Sequence, residues 1–395
     1  MPCSGKSGAS DKRKCRMALR VLGLEKSRCT GCGVCADVCP ENCIQMTADG
    51  EGFLYPMADA AQCTDCGKCA AVCPVMNPVA VAVQDNALPK AFAAWSLDAE
   101  IRYQSTSGGI FTELARLVLH DDGVVAGARY DGRNMVRHVL IEQEKDLPLL
   151  RQSKYAQSDT GDIYRKVLAA MDSGRRAIFS GTPCQCAAMK RYAEQTDNLI
   201  LCDFICRGVN SPLVYAKYLE ELEARHRAKV RRVWFKNKER GWNAFGTRID
   251  FENGETYFGG REDDPFMFGY IRKGLNLYMC PSCGQCAFKG VTRPVDITLG
   301  DFWGVKLHES NDDMQNGVSA VIVHTEKGQR LFDAVSPNIY REEQDISSIH
   351  PANICLTETA AADAESRARF WAVFQQKGFN KAIRQFTDNG ENRHD

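Results

Sequence analysis

Nineteen cysteines stand in this chain of 395 residues, and eight of them fall into two matched runs. The runs read Cys29-x2-Cys32-x2-Cys35-x3-Cys39-Pro40 and Cys63-x2-Cys66-x2-Cys69-x3-Cys73-Pro74. Thiolates are soft, electron-rich ligands, and four of them on tight turns suit the irons of a cuboidal 4Fe-4S cluster. In that chemistry each C-x2-C-x2-C turn supplies three ligands, and the distant fourth comes from the partner run. The spacing therefore assigns Cys29, Cys32, Cys35 and Cys73 to one cluster, and Cys63, Cys66, Cys69 and Cys39 to another. Zinc usually takes two C-x2-4-C pairs separated by a loop, which neither run provides. Cys43, just past the first run, reads as a small buried residue rather than a ligand.

The other cysteines are scattered. Cys280-Pro281-Ser282-Cys283-Gly284-Gln285-Cys286 holds a tight group, Cys184 follows a strand pattern in Gly181-Thr182-Pro183-Cys184-Gln185-Cys186, and Cys206 ends another. Cys283 and Cys286 cannot complete a site alone, whereas Cys184 and Cys206, from neighbouring strand ends, can join them. The expectation is a third 4Fe-4S cluster on Cys184, Cys206, Cys283 and Cys286. Structural zinc and unligated buried thiols use the same residues and stay open. So does a reactive thiolate at Cys184, which a helix N-terminus favours.

Size and composition bound what can carry this chemistry. A chain of 395 residues suits two or three domains, and 44% hydrophobic with 25% charged residues is an ordinary globular balance. Lys+Arg and Asp+Glu are 50 each, which gives no electrostatic argument for nucleic acid or an anionic membrane. The basic-aromatic stretch 225–240 reads as a helix followed by a strand, so no nucleic-acid partner is expected. No stretch approaches the roughly 18 uninterrupted apolar residues of a membrane span. A basic tail at 1–24 lacks the apolar core of a secretory signal. With cysteines at metal-ligand spacing, that points to the reducing cytoplasm.

The two runs lie 34 residues apart, from Cys29 to Cys63, and Thr30-Gly31-Cys32-Gly33 is matched by Thr64-Asp65-Cys66-Gly67. This internal repeat marks 25–80 as a dicluster ferredoxin-like domain, too small for a large apolar core, with its clusters standing in for one. A linker at 81–90 follows. From residue 91 short apolar runs alternate with helical periodicity: strands near 91–96, 124–130, 136–142, 177–180, 199–206 and 318–324, and helices on Ile110, Leu114, Leu117 and on Ile163, Val167, Met171. Asn253-Gly254 within 248–258 signals a hairpin. A helix closes the chain at 361–395. The fold class is mixed α/β with a ferredoxin-like unit in front.

Two glycine-bearing turns suggest ligand contacts. Ser105-Thr106-Ser107-Gly108-Gly109 precedes a helix, where free N–H groups form a phosphate cradle or an ordinary cap. Gly181-Thr182-Pro183 sits at the carboxyl end of a strand, the usual crevice of an α/β sheet. Together with Ser-Lys-Tyr-Ala-Gln-Ser at 153–158, Cys206 to Pro212, 238–242, Cys283-x2-Cys286 and Asp-Ile-Thr-Leu-Gly-Asp-Phe-Trp-Gly at 296–304, they resemble one family in order. It is the coenzyme F420 hydrogenase/dehydrogenase beta subunit family, in the form with a fused 4Fe-4S dicluster ferredoxin domain. The resemblance divides the rest into an N-terminal-like region at 91–170 and a C-terminal-like flavin and iron-sulfur region at 171–360.

The resemblance implies an FAD- and 4Fe-4S-dependent oxidoreductase that exchanges electrons with coenzyme F420 or another two-electron substrate. A non-catalytic subunit wiring a partner oxidoreductase is the alternative. Thr106, Ser107, Gly108 and Gly109 would hold the FAD phosphates, with Lys154, Tyr155 and Gln157 along the flavin and Thr182, Pro183 and Gln185 nearby. Lys154 would act as a catalytic cation beside the reduced flavin. A ferredoxin, a partner oxidoreductase or a small molecule would give or take the electrons. The chain departs from the family at Arg207-Gly208-Val209-Asn210, where members often carry His-Gly-Val-Pro.

Overall fold

The computed structural model of the chain describes residues 23–80, 89–193, 197–272, 274–308 and 312–387. The expected basic tail lies outside them except for Gly23 and Leu24, and the expected linker except for Pro89 and Lys90. In chain order the strands are β1 (Ile44–Ala48), β2 (Leu54–Ala58), β3 (Lys90–Ser96), β4 (Val124–Tyr130) and β5 (Val136–Ile141). They continue as β6 (Ala177–Ser180), β7 (Leu199–Phe204), β8 (Val230–Asn237), β9 (Gly246–Phe251) and β10 (Thr256–Gly260). The last three are β11 (Ile297–Asp301), β12 (Ser319–Val323) and β13 (Ile339–Gln344).

Eight strands form one mixed sheet in the order β13-β3-β12-β11-β7-β6-β4-β5. Its middle, β11-β7-β6-β4, is parallel, and antiparallel strands close both edges. Strands β6 and β7 are almost wholly apolar because both faces are covered. Alternation sends Ile178 and Ile200 to the face under helix Ile110–His120, while Phe179, Leu199 and Leu201 pack with helix Ile163–Asp172 on the other. Helix Ile110–His120 buries Ile110, Leu114 and Val118, a stripe at helical period.

Strands β8, β9 and β10 make a separate antiparallel sheet whose hairpin turns at Asn253-Gly254, as expected. It shares an aromatic core with helices Pro212–His226, Pro265–Ile271, Ala364–Lys377 and Phe379–Thr387, filled by Tyr215, Phe235, Phe266, Tyr278 and Phe370. Trp234 and Phe235 of the basic stretch are thus interior residues, unable to stack on bases. The closing helix is two helices, not one. Gly378 adopts φ 79°, and a Cβ there would stand 2.5 Å from the Glu221 carboxylate. That carboxylate accepts the N–H groups of Phe379 (2.7 Å) and Asn380 (2.8 Å), so it starts a new helix where the aromatic spacing alone reads as continuous.

In the cysteine-rich unit, Cys35, Cys39, Cys43 and Ile44 form the interior together with Cys63 and Cys69, so thiols do stand where a larger domain has aliphatics. The unit is clasped to the rest by polar groups. Leu54 N–H donates to Gln157 Oε1 at 2.7 Å, and Gln157 Nε2 donates back to the Leu54 carbonyl at 3.3 Å. Tyr164 Oη donates to the Cys32 carbonyl at 2.7 Å. Asp37 reaches across to accept from Tyr164 N–H (2.9 Å) and Arg165 N–H (3.2 Å), capping helix Ile163–Asp172 from outside its own segment. Ser211 and Arg367 hold Glu51 at the third corner.

The close approach explains a difference between the repeats. Gly31 has φ 64°, and a Cβ there would meet Gln157 Nε2 at 2.2 Å; its counterpart Asp65 has a similar φ of 54°. A Cβ on Gly33 would meet Thr160 Oγ1 at 2.2 Å, while one on Gly67 would meet nothing within 4 Å. At these matched glycine positions the first run is pressed against the module and the second is not. Replacing Asp37 with Ala removes a buried cap supplied in trans. We expect a loss of about 1–2 kcal/mol, read as faster amide hydrogen exchange at Tyr164 and Arg165. Unchanged protection there would show that the cap carries no weight.

Candidate functional site

The chemistry-bearing residues collect at the carboxyl ends of the parallel strands, the usual place for a ligand in an open α/β sheet. After β6, Gly181-Thr182 turns into helix Pro183–Ala193, with proline first because its missing N–H needs no partner there. That turn presents Cys184. Past the end of β7 the chain presents Cys206, and the 3-10 turn Pro281–Gln285 brings Cys283 and Cys286 against them. All four thiols line one cavity of about 580 Å³, its open mouth included. Thr30 and Gly31 of the cysteine-rich unit complete its wall.

The eight cysteines of the two runs sort by neighbour, and the sorting crosses. A second cavity has Cys39, Cys63, Cys66 and Cys69 in its wall. Cys29, pushed up to about 11, and Cys32, pushed up to about 12, owe this first to burial, and repulsion from Cys73 adds in both. Cys35 is raised by burial and by Cys32, Cys29, Cys73 and Cys69 in turn, so it stands on the side of its group nearest the second cavity. The fourth cysteine of each run therefore sits with the first three of the other. Cys43 is buried with its Sγ 3.4 Å from that of Cys39, inside the second wall.

Two of the thiol groups share a partition. Phe53, Tyr55 and Cys280 form a small buried set against which both Cys29 and Cys283 pack. Tyr55 Oη lies 3.7 Å from Cys280 Sγ. Burial pushes the Cys184 thiol well up, and Cys286, Cys32 and Cys206 repel its charge further. This burial works against a reactive thiolate at Cys184, the reading that a helix start favours.

A hydrogen-bond chain fixes the wall beside Cys184. His138 Nε2 faces the Ser180 carbonyl at 3.3 Å, so it carries the proton, and Nδ1 accepts from Ser158 Oγ at 2.9 Å. Ser158 Oγ in turn accepts from Gln185 Nε2 at 3.0 Å. Gln185 Oε1 accepts both the N–H and the hydroxyl of Thr182, each at 3.0 Å. Thr182 Oγ1 then stands 3.1 Å from Cys184 Sγ.

Of the residues expected to meet a flavin, Gln157, Thr182, Pro183 and Gln185 line the four-thiol cavity, while the remainder lie apart from it. Thr106 Oγ1 accepts from Ser153 N–H at 2.9 Å, joining the two motifs. Ser107 Oγ and Gly108 N–H both meet Ser319 Oγ, at 2.8 and 2.9 Å. Gly109 caps helix Ile110–His120 with φ 87°. Lys154 Nζ donates to the carbonyls of Arg151 (2.8 Å) and Gln152 (3.2 Å), and burial pushes it down to about 7. Tyr155 packs on Phe235 and Tyr270, each ring 5.3 Å away.

Some of the wall was not foreseen from sequence. Arg207 and Lys289 line the thiol cavity, and Lys236 forms a buried ion pair with Asp301 beneath the Trp242–Trp303 stack. Arg207 was visible only as a departure from the family pattern. Lys289 carried no signal, since its partners are backbone carbonyls distant in sequence.

Residues 174–349 match the family model for the C terminus of the coenzyme F420 hydrogenase/dehydrogenase beta subunit, and residues 28–77 match the 4Fe-4S dicluster domain. Among solved structures the chain is similar to one from the F420-reducing [NiFe] hydrogenase complex of Methanosarcina barkeri, a xenon-derivatized structure. Identity is 17% over 78% of this chain and 94% of that one, with a TM-score of 0.45. No curated protein matches the chain. Among the described residues no helix is long and apolar enough to cross a membrane.

The His138 chain makes a pH prediction. Burial pushes His138 from 6.5 down to about 4, so as pH falls the unfolded chain takes the proton first. Stability is lost between those two values, on the order of 3 kcal/mol in all. Thermal unfolding of His138→Gln should follow a flatter profile across that window. Identical acid slopes in both proteins would remove His138 from the account.

Proposed function

From a chain that joins a 4Fe-4S dicluster domain to the C-terminal region of the coenzyme F420 hydrogenase/dehydrogenase beta subunit family, we propose an iron-sulfur flavoprotein oxidoreductase. Cys29, Cys32, Cys35 and Cys73 hold one cluster; Cys39, Cys63, Cys66 and Cys69 hold a second; Cys184, Cys206, Cys283 and Cys286 hold a third. The observation that carries this reading is the last set, four thiols from three distant segments around one cavity with Thr30 and Gly31 in its wall. A cuboidal cluster takes one thiolate per iron and so needs ligands spread around a volume. Zinc needs them converged on a point.

FAD is the second cofactor of the reading, since a flavin exchanges both single electrons and pairs. Thr106, Ser107, Gly108 and Gly109 would bind its phosphates, with Lys154, Tyr155, Gln157, Thr182, Pro183 and Gln185 along it. Lys154 suits a role beside an anion: burial weakens its hold on the proton, and a negative neighbour would restore it. The substrate class is an organic two-electron carrier of the coenzyme F420 type. The described cysteines are all unpaired thiols, which supports a cytoplasmic setting.

A second reading makes the chain a non-catalytic subunit that wires a ferredoxin or a partner oxidoreductase such as a hydrogenase, formate dehydrogenase or reductase. Its support is that Ser319 already satisfies the Gly108 amide and backbone carbonyls already satisfy Lys154. Anaerobic purification with iron, sulfide and released-flavin analysis tests both. About 12 irons and one FAD are expected, falling to about eight irons in Cys283→Ser; equal iron in the two proteins removes the third cluster. Bleaching of the flavin by reduced F420 alone favours the enzyme, and bleaching that needs a partner protein favours the subunit. Lys154→Met should lose flavin or turnover, and retention of both would dismiss its catalytic role.

A further inference from the structure

The two thiol-lined cavities differ in the sign of their walls. Around Cys39, Cys63, Cys66 and Cys69 the charged lining residues among those described are Glu41 and Asp65, with no Lys, Arg or His. Around Cys184, Cys206, Cys283 and Cys286 they are Arg207 and Lys289, with no Asp or Glu. Neither cation is neutralised by its bonds. The Arg207 guanidinium donates to Asn276 Oδ1 (3.1 and 2.9 Å) and to the Tyr270 carbonyl (3.3 Å). The Lys289 ammonium donates to the Cys206 and Cys355 carbonyls, the second at 2.8 Å. None of these acceptors is a carboxylate, and the remaining Arg207 contact, Nη1 to Cys355 Sγ at 4.0 Å, is to a thiol.

Other cations nearby do have acid partners. Arg293, also close to Cys206, pairs with Asp203 at 3.1 Å, and both are buried. Beside the first run, Lys26 pairs with Asp49 at 2.6 Å and Arg165 approaches Asp37 at 3.9 Å. The excess positive charge thus belongs to the inner cavity. The outer one lies toward solvent, where Cys66 is exposed.

A cluster on four thiolates is negative, and reduction adds one more negative charge. Fixed cations therefore stabilise the reduced form more than the oxidised form, and acids do the reverse. The effect strengthens where a half-buried wall lowers the effective dielectric. On the three-cluster reading above, we propose that Arg207 and Lys289 make the inner site the highest-potential of the three, so that an electron from an external one-electron donor rests inward. The equilibrium concerned moves one electron: an outer cluster is oxidised and the inner one reduced, with no bond made or broken. Arg207 and Lys289 are positioning residues for charge, not ligands.

The test is a reductive titration of the full chain followed by electron paramagnetic resonance, with Cys283→Ser identifying the inner signal by its loss. The inner midpoint is expected above both outer ones. Arg207→Gln and Lys289→Gln should each shift the electron about tenfold toward the outer clusters, ~59 mV for a one-electron couple. Arg207→Lys, which keeps the charge but not the planar fork, should hold the wild-type value. About 12 irons with the inner midpoint at or below the outer ones overturns the proposal alone, as does an inner midpoint unmoved by both Gln variants. About eight irons in the wild type overturns the three-cluster reading and this proposal with it. If a variant loses iron, the order of midpoints in the wild type still decides.

Discussion

A small cysteine-rich unit has little apolar surface of its own, and the whole arrangement depends on how it is docked. Val34 and Val72 pack into the core of the larger module, and polar groups around them fix the register. The decisive contacts are few. Tyr164 donates to the carbonyl of Cys32, the Gln157 amide bonds Leu54 in both directions, and Asp37 caps a helix of the other domain. Each contact satisfies a backbone group that burial would otherwise leave unpaired, so sliding the unit aside would cost several hydrogen bonds together. The same contacts set the inner thiols of the repeat against the strand ends that carry Cys184 and Cys206.

The sheet supplies the other half of the geometry. Four parallel strands end on one side, and their connections carry small, kinked sequences that can present a thiol without a bulky neighbour. Helix Pro183–Ala193 and the 3-10 turn Pro281–Gln285 then close the cavity from two directions. The aromatic core built on β8 to β10 backs this site, with Cys283 packed against it and the Tyr270 carbonyl accepting from Arg207, and it holds the flanking helices in place. Tyr155 links the regions, since it packs in that core while its sequence neighbours Lys154 and Gln157 face the strand ends and the cysteine-rich unit.

Much of this was legible in the sequence because the relevant signals are local. The repeat, the apolar strands and the Asn253-Gly254 hairpin each declare themselves within a dozen residues. Cys184, Cys206, Cys283 and Cys286 could be grouped because each sits where a strand or tight turn ends. What stayed hidden depends on distant partners. The break at Gly378 comes from Glu221, about 160 positions earlier in the chain. The charge of the inner wall comes from Arg207 and Lys289, whose acceptors are an amide oxygen and backbone carbonyls that no spacing rule encodes. Gln157 could be read as facing a ligand, but not as bonding Leu54.

The Gly31 and Asp65 pair has a consequence for how such a unit can change over time. Two duplicated halves start equal, yet docking leaves one of them under steric arrest. At Gly31 any side chain would strike Gln157, whereas the matching place on the outer half tolerates an aspartate. Sequence drift is thereby channelled outward. The inner copy is kept by its contact with Gln157, while the outer copy is anchored elsewhere, through Val72, and can vary at the place that Asp65 fills.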